Sequence, residues 1–181
     1  MGYPSFTAGD ILAASDMNAV GWWLIKTQTV GTAVTGQDVT SCFSSNYSNY
    51  RVMWSGISAS ADTYMGARLL VGTTLNAANV QGNTFYVGTG AAGALTNANV
   101  VNGSIIEIGN LTNDSHNAGG VEVQQPQAAQ YSYLQSFASD NNYFRLCSYV
   151  MTNTTQYDGI RLLPGSGTIT GGTIRVYGYR N

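Results

Sequence analysis

Few side chains in this sequence could do catalytic chemistry, and they are not spaced as a catalytic motif. The single histidine, His116, lies in a polar stretch of Asn, Asp and Ser residues, where a solvated surface imidazole is far more common than a catalytic one. It could act with a serine and an aspartate, but no Gly-x-Ser-x-Gly motif supports such a triad. Glu107 and Asp114 are not spaced as a glycosidase pair, although carboxylates distant in sequence can converge. We therefore predict that the protein is not an enzyme.

Cofactor and metal motifs are also missing from the sequence. It contains no phosphate-binding loop, no dinucleotide fingerprint and no Cys/His cluster with zinc spacing. Residues 140–142 (Asp-Asn-Asn) could hold calcium through oxygen ligands, but a turn built from Asx side chains accounts for them more simply. We predict no cofactor and no metal site.

The two cysteines, Cys42 and Cys147, are far apart in the sequence. We predict that both are reduced and buried, each acting as a small apolar side chain in a strand. A disulfide would require their two strands to be neighbours, and the sequence leaves that open.

Tyrosine is the most informative aromatic residue, with 12 copies in the chain. Several tyrosines fall where the outer face of a strand is expected: Tyr131, Tyr133, Tyr177 and Tyr179. Tyrosine beside Asn, Ser and Gly provides a rigid contact surface with adaptable hydrogen bonding, which suits a subunit interface or stacking against a sugar. Together with the low charge, it favours subunit packing over ligand binding.

The charge content excludes several classes of protein. Only 9% of the 181 residues are charged and the formal net charge is −2, so the basic surface needed for nucleic acid is missing. The sequence contains no run of about 18 apolar residues, so we predict no transmembrane helix. The first residues carry no basic and apolar signal-peptide pattern, so we expect no signal peptide. So little charge suits a protein that functions within an assembly.

The elements expected to position these side chains are strands. About nine to eleven short β-branched and aromatic runs are separated by Gly, Asn, Ser and Thr clusters, the clearest at residues 22–30, 50–57, 65–71, 104–111, 120–125, 131–138, 143–151, 159–163 and 173–179. This pattern predicts an all-β fold, an antiparallel β-sandwich of jelly-roll or lectin-like type. An immunoglobulin-like strand order fits equally well.

Two regions bear on the strand order. Residues 72–101 are irregular, and we expect a long surface loop around one short strand at residues 84–87. Residues 43–52 and 137–146 share an aromatic, a Ser/Asn turn and an aromatic-Arg-aliphatic start. They are either two similar hairpins or two unrelated Asn-rich turns.

The first twenty residues differ from the rest of the chain. They are Ala-rich, and Ser15 is a good N-cap for one helical turn at residues 16–20. Such a short helix is marginal alone and needs a surface to lie on. We therefore divide the chain into an N-terminal arm, residues 1–20, which docks or trimerises, and a β-sandwich domain, residues 21–181.

Several segments together resemble a known family. They are FTAGDIL at 6–12, ASDMN at 14–18, GWWLIK at 21–26, FSSNYSNYRV at 43–52 and GTIRVYGYR at 172–180. This combination resembles the tail-fibre and minor tail proteins of bacteriophages. The middle of the chain, about residues 72–130, shows no such similarity, as expected for a variable region.

The resemblance implies a structural protein of the virion, assembled in the cytoplasm of the bacterial host. Such proteins are usually homotrimers whose N-terminal segment docks onto other tail or capsid proteins while a β-sandwich is presented outward. The docking or oligomer contacts would then be Phe6, Ile11, Leu12, Met17, Val20, Trp22 and Trp23. Loops within residues 73–98 would contact the host, but no receptor-contacting residue can be transferred.

Three functions remain open at this point. The first is a tail fibre or tail-tip component that attaches to a host-surface glycan or protein. The second is a capsid decoration or head-fibre protein with a purely structural role. The third and weakest is a tailspike-type glycan hydrolase, because the chain is short for a solenoid and shows no carboxylate pair.

Overall fold

The computed structural model describes residues 21–88, 95–113, 117–139 and 143–179, which form strands and connecting loops. The strands are β1 (Trp23–Thr29), β2 (Gln37–Val39), β3 (Asn49–Ala59), β4 (Thr63–Val71), β5 (Thr74–Leu75), β6 (Val80–Gly88), β7 (Leu95–Gly103), β8 (Ile106–Leu111), β9 (Asn117–Gln124), β10 (Ser132–Ser139), β11 (Tyr143–Met151), β12 (Gly159–Pro164), β13 (Ile169–Thr170) and β14 (Thr173–Tyr179). Only β2, β5 and β13 are as short as two or three residues. This part of the chain contains no helix, and so none that could cross a membrane.

The strands form two antiparallel sheets in a sandwich-like arrangement, which confirms the predicted fold class. The larger sheet has nine strands in the order β1-β14-β3-β9-β10-β11-β6-β7, with β13 also paired to β3. The smaller has five strands in the order β2-β12-β4-β5, with β8 paired to β4. The larger sheet brings together strands from both ends and the middle of the sequence.

The core lies on the inner side of the nine-stranded sheet. One row of paired residues crosses six of its strands, from Val176 through Val52, Val121, Ser136 and Cys147 to Thr84. All six side chains are buried. Alternate residues of β4 and β12, such as Leu69 and Ile160, join the same core from the smaller sheet. Burial of these side chains is the main stabilising term of the fold.

Alternation in the sequence predicts Ile174 and Val176 on the core side of their strand, and the structure confirms this for β14. The alternation predicted in the same way for Val52, Trp54 and Gly56 changes partway along β3. Ile174 and Val176 are fully buried, and Arg175 between them is exposed. In β3, Trp54 is buried but Gly56 is exposed, because the pairing with β9 shifts register between Trp54 and Ile57. This bulge turns the end of β3 and restores burial at Ile57.

The expectation of a long surface loop at residues 72–101 is wrong. The predicted short strand at residues 84–87 lies within β6, which is longer and pairs with β11, and most of the remaining segment forms β7, which pairs with β6 at the edge of the larger sheet. The inner side of these strands carries small residues such as Gly82 and Ala98, and the outer side carries amides such as Asn83 and Asn99. These residues weaken the apolar alternation that marks a strand.

Residues 43–52 and 137–146 are not two similar hairpins. β10 and β11 do pair as neighbours, but β2 and β3 belong to different sheets. The aromatic residues that start the two segments also differ in environment, since Phe43 is buried in the core and Phe137 is exposed on the surface. The likeness therefore reflects common turn residues rather than repeated structure.

The prediction that both cysteines are reduced and buried is confirmed. Cys42 and Cys147 are free and buried, although Cys42 lies in the loop after β2 instead of in a strand. Burial raises the pKa of the Cys42 thiol to about 12 and raises that of Cys147 as well. Both side chains therefore stay protonated near neutrality, which makes them poor nucleophiles.

Candidate interaction surface

The side of the nine-stranded sheet that points away from the core, here called the outer face, begins at a cluster around Trp22. The Trp22 ring is 51% exposed and stacks on Tyr179, with centroids 6.2 Å apart and ring planes at 22°. It also contacts Tyr177 at 6.2 Å, and the Arg51 guanidinium lies 4.7 Å from its ring centroid. Stacking and cation–π contacts hold the start of the described chain against the outer face.

An ion pair continues this cluster across the sheet. Arg51 on β3 and Glu122 on β9 are direct cross-strand partners, and Arg51 Nη1 lies 2.9 Å from Glu122 Oε1. The Tyr179 hydroxyl donates a hydrogen bond of 2.9 Å to Glu122 Oε2. Burial, together with this hydrogen bond and the Glu122 charge, raises the pKa of Tyr179 to about 12. With both carboxylate oxygens engaged, Glu122 is poorly placed to act as a general base.

A shallow groove of about 280 Å³ lies beside the ion pair. Its floor is at Gly120, which has no side chain, and its walls include Arg51, Gln135 and Phe137. In the sheet register Gly120 stands between Met53 on β3 and Phe137 on β10. The groove therefore separates a polar part of the outer face from an apolar one.

The apolar part is a contiguous group of large side chains, here called the apolar stripe. Sheet pairing places them side by side on β10, β11 and β6: Phe137, Leu146, Phe85, Phe144 and Val87. Phe137 is the most exposed of them, at 67%. Solitary exposed apolar residues are normal on a protein surface, but a contiguous patch usually marks an interaction site.

A row of uncharged polar residues borders the stripe. Gln135, Ser148 and Asn83 are paired neighbours on β10, β11 and β6. Another depression, of about 390 Å³, opens farther along, where Tyr133 and Asn99 are among the lining residues. The outer face thus combines aromatic, apolar and amide groups, a mixture typical of contact surfaces.

The described part of the chain includes only two of the predicted docking or oligomer contacts. Trp22 lies in the outer-face cluster, and Trp23 starts the edge strand β1 opposite Gly178. The others, Phe6, Ile11, Leu12, Met17 and Val20, and the predicted helical turn at 16–20 lie outside the described residues. The tyrosines expected on outer faces are found there: Tyr133, Tyr177 and Tyr179, with the exposed Tyr131 just before β10.

Alternation in the sequence does not by itself identify the apolar stripe. Its signal was a loss of alternation in β10 and β11, where large apolar residues fall on both faces. Phe137 and Leu146 point outward while Leu134 and Tyr149 are buried. Only the pairing of β10 with β11 and of β11 with β6 reveals that the outward residues are neighbours.

The residues considered for catalysis are not brought together in the described structure. His116, Asp114 and residues 140–142 lie outside it. Glu107 instead pairs with Arg145 at 2.8 Å, and the Arg145 guanidinium lies 5.5 Å from the Tyr86 ring centroid. Among the described residues no group of three or more His, Cys, Asp or Glu side chains could hold a metal ion.

Comparisons with known proteins identify no relative. No protein-family model matches the chain, and searches of curated proteins and of solved structures find no significant match.

Proposed function

We propose that the chain is a structural protein of a bacteriophage particle, a tail-fibre or tail-tip component that presents its β-sandwich for attachment to a host-surface glycan. The observation that carries this proposal is the placement of the segments that resemble tail-fibre proteins. Residues 21–26, 43–52 and 172–180 are distant in sequence, yet their strand portions belong to β1, β3 and β14. These three strands are consecutive in the sheet order β1-β14-β3, so the resemblance belongs to one structural unit.

The position of the chain ends supports docking at one end and presentation at the other. Trp23 pairs with Gly178, and Tyr179 with Asn49 at the start of β3. The arm therefore joins the sandwich where the described chain also ends. The far end of β3, at Ala59, is roughly 30 Å away because a strand rises about 3.3 Å per residue.

The end of the sandwich near Ala59 carries the chemistry expected of a glycan contact. Its loops are held together by polar bonds, such as Ser60 N to Thr168 O at 2.9 Å and Asn113 N to Asp62 Oδ1 at 2.8 Å. Serine, threonine and asparagine make up five of the nine described residues in the loops at 60–62, 112–113 and 165–168. Such neutral groups suit the hydroxyls of a sugar. We propose that this end faces the host.

Immunogold electron microscopy of particles purified from a phage whose genome encodes this chain tests the proposal. Gold at the distal tail is expected. Gold spread over the head would overturn the tail assignment and favour a capsid decoration protein. Absence of the protein from purified particles would overturn the virion assignment altogether.

Glycan binding is tested separately by incubating the full chain with an array of bacterial surface glycans. Binding that is weakened at least tenfold by Asp62→Ala, and not by the exposed control Val71→Ala, is the expected result. Loss of polysaccharide during incubation would contradict the prediction that the protein is not an enzyme. No binding to glycans displayed by a host whose cells the particle adsorbs to would overturn the glycan assignment.

A further inference from the structure

We infer that the outer face of the nine-stranded sheet is an interface between copies of this chain, with the apolar stripe at its centre. The inference deepens the proposed function and rests on it for the expectation that copies assemble. It adds a surface for this assembly in the sandwich itself, whereas the resemblance placed the oligomer contacts in the arm and at Trp22 and Trp23.

The composition of the stripe favours a protein partner over a sugar. Phe137, Leu146 and Phe85 are consecutive partners across β10, β11 and β6, and none has a polar atom in its side chain. A glycan would leave most of its hydroxyls without partners there, and unpartnered polar groups are costly to desolvate. A second protein surface of the same kind has no such difficulty.

The size of the outer face is sufficient for a stable interface. Eight strands about 4.8 Å apart, each about eight residues long at about 3.3 Å per residue, cover roughly 900 Å². A specific protein interface of standard size needs about 800 Å² from each partner. The outer face can therefore support self-association without help from another part of the chain.

The charges of the outer face are compatible with contact between identical copies. The strand positions described on this face carry three charged side chains, and two of them, Arg51 and Glu122, neutralise each other at 2.9 Å. The third, Arg175, is an arginine on β14 next to Met53 in the register. Arginine is common in interfaces, and a face that is nearly neutral overall does not repel its own copy.

The shape of the face gives the contact a specific geometry. Phe137 protrudes at 67% exposure, and it borders the groove floored by Gly120. A protruding ring beside a depression is a self-complementary arrangement, because a ring from one copy can enter the groove of another. A buried aromatic anchor of this kind usually dominates the binding energy of an interface.

The test is the oligomeric mass of the full chain and of Phe137→Glu, measured by sedimentation across a range of concentrations. The wild type is expected to be a dimer or trimer, and Phe137→Glu to raise the dissociation constant at least a hundredfold. Val71→Glu is the matched control, since Val71 is also exposed, at 46%, but lies at the end of β4 in the other sheet. It should retain the wild-type mass.

A labelling experiment gives a second readout that does not require the oligomer to dissociate. Phe137→Cys and Val71→Cys are each treated with a maleimide under native conditions, where the buried Cys42 and Cys147 are protected. Position 137 is expected to react at least tenfold more slowly than position 71. Equal rates in an assembled protein would overturn the assignment of this face.

The failures of the two proposals are distinguishable. A monomeric wild type would overturn the self-association surface while leaving the location of the protein in the particle to electron microscopy. An oligomer that Phe137→Glu does not weaken would show that copies assemble through a different surface.

Discussion

At the scale of single residues, a close backbone contact between Gly56 and Gly172 constrains this sheet. Both have positive φ angles, 70° and 79°. A Cβ built on Gly172 would lie 2.6 Å from the backbone carbon of Gly56, which is closer than atoms can approach. This contact lets the chain turn into β14 beside the bulge of β3, where side chains would force the two backbones apart.

We expect Gly172→Ala to destabilise the protein by about 2–4 kcal/mol, combining the penalty of a left-handed residue with overpacking against backbone. Gly72→Ala is the control, because Gly72 also has a positive φ, 61°, but no atom lies within 4 Å of the position that its Cβ would occupy. It should lose only about 1–2 kcal/mol. Denaturant unfolding measures both, and equal losses would mean that the Gly56 contact is unimportant.

At the scale of elements, β14 is the strand in which sequence and structure agree best. It joins β1 to β3, and its alternation separates the core from the outer face. Ile174 and Val176 are fully buried, while Tyr177 contacts Trp22 on the other side. A strand in the interior of a sheet with one side in the core has a strongly specified register.

We expect the double substitution Ile174→Asp with Val176→Asp to prevent folding, because two carboxylates would be buried without partners. Arg175→Asp, on the exposed side of the same strand, should leave the fold intact and change the stability by about 0.5 kcal/mol or less. Circular dichroism and thermal unfolding measure the outcome. A soluble double variant with the wild-type midpoint would show that the face assignment is wrong.

The sequence predicts such single-strand features well, because alternation is a local property. It predicted the burial of Ile174 and the outward position of Tyr177 and Tyr179. It found only the part of β6 at residues 84–87 and missed β7, because small inner residues such as Gly82 and Ala98 and outer amides such as Asn83 and Asn99 interrupt the apolar periodicity. It could not predict the apolar stripe, because Phe85 and Phe137 come together only through the order β10-β11-β6.

At the scale of the whole molecule, the low charge agrees with a protein that uses both its outer face and its N-terminal arm for contacts with other chains. Only 9% of residues are charged, so solubility depends on covering apolar area rather than on repulsion between monomers. The proposed self-association covers the outer face, and the arm at residues 1–20 remains to contact other proteins. Docking and self-association are therefore assigned to separate parts of the chain, although the resemblance left both roles with the arm.

This separation predicts the behaviour of a chain that lacks residues 1–20. The described core is built from residues between Val30 and Val176, so the truncated protein should keep its fold, with a thermal midpoint close to that of the wild type. It should also keep the wild-type oligomeric mass, because the outer face is intact. It should nevertheless fail to enter phage particles, as judged by immunoblotting of purified virions after complementation of a deletion phage.

Full-length Val71→Glu, with the arm and the outer face unchanged, is the control for incorporation. Normal incorporation of the truncated chain would refute the docking role of the arm, and its dissociation to monomers would return self-association to the arm.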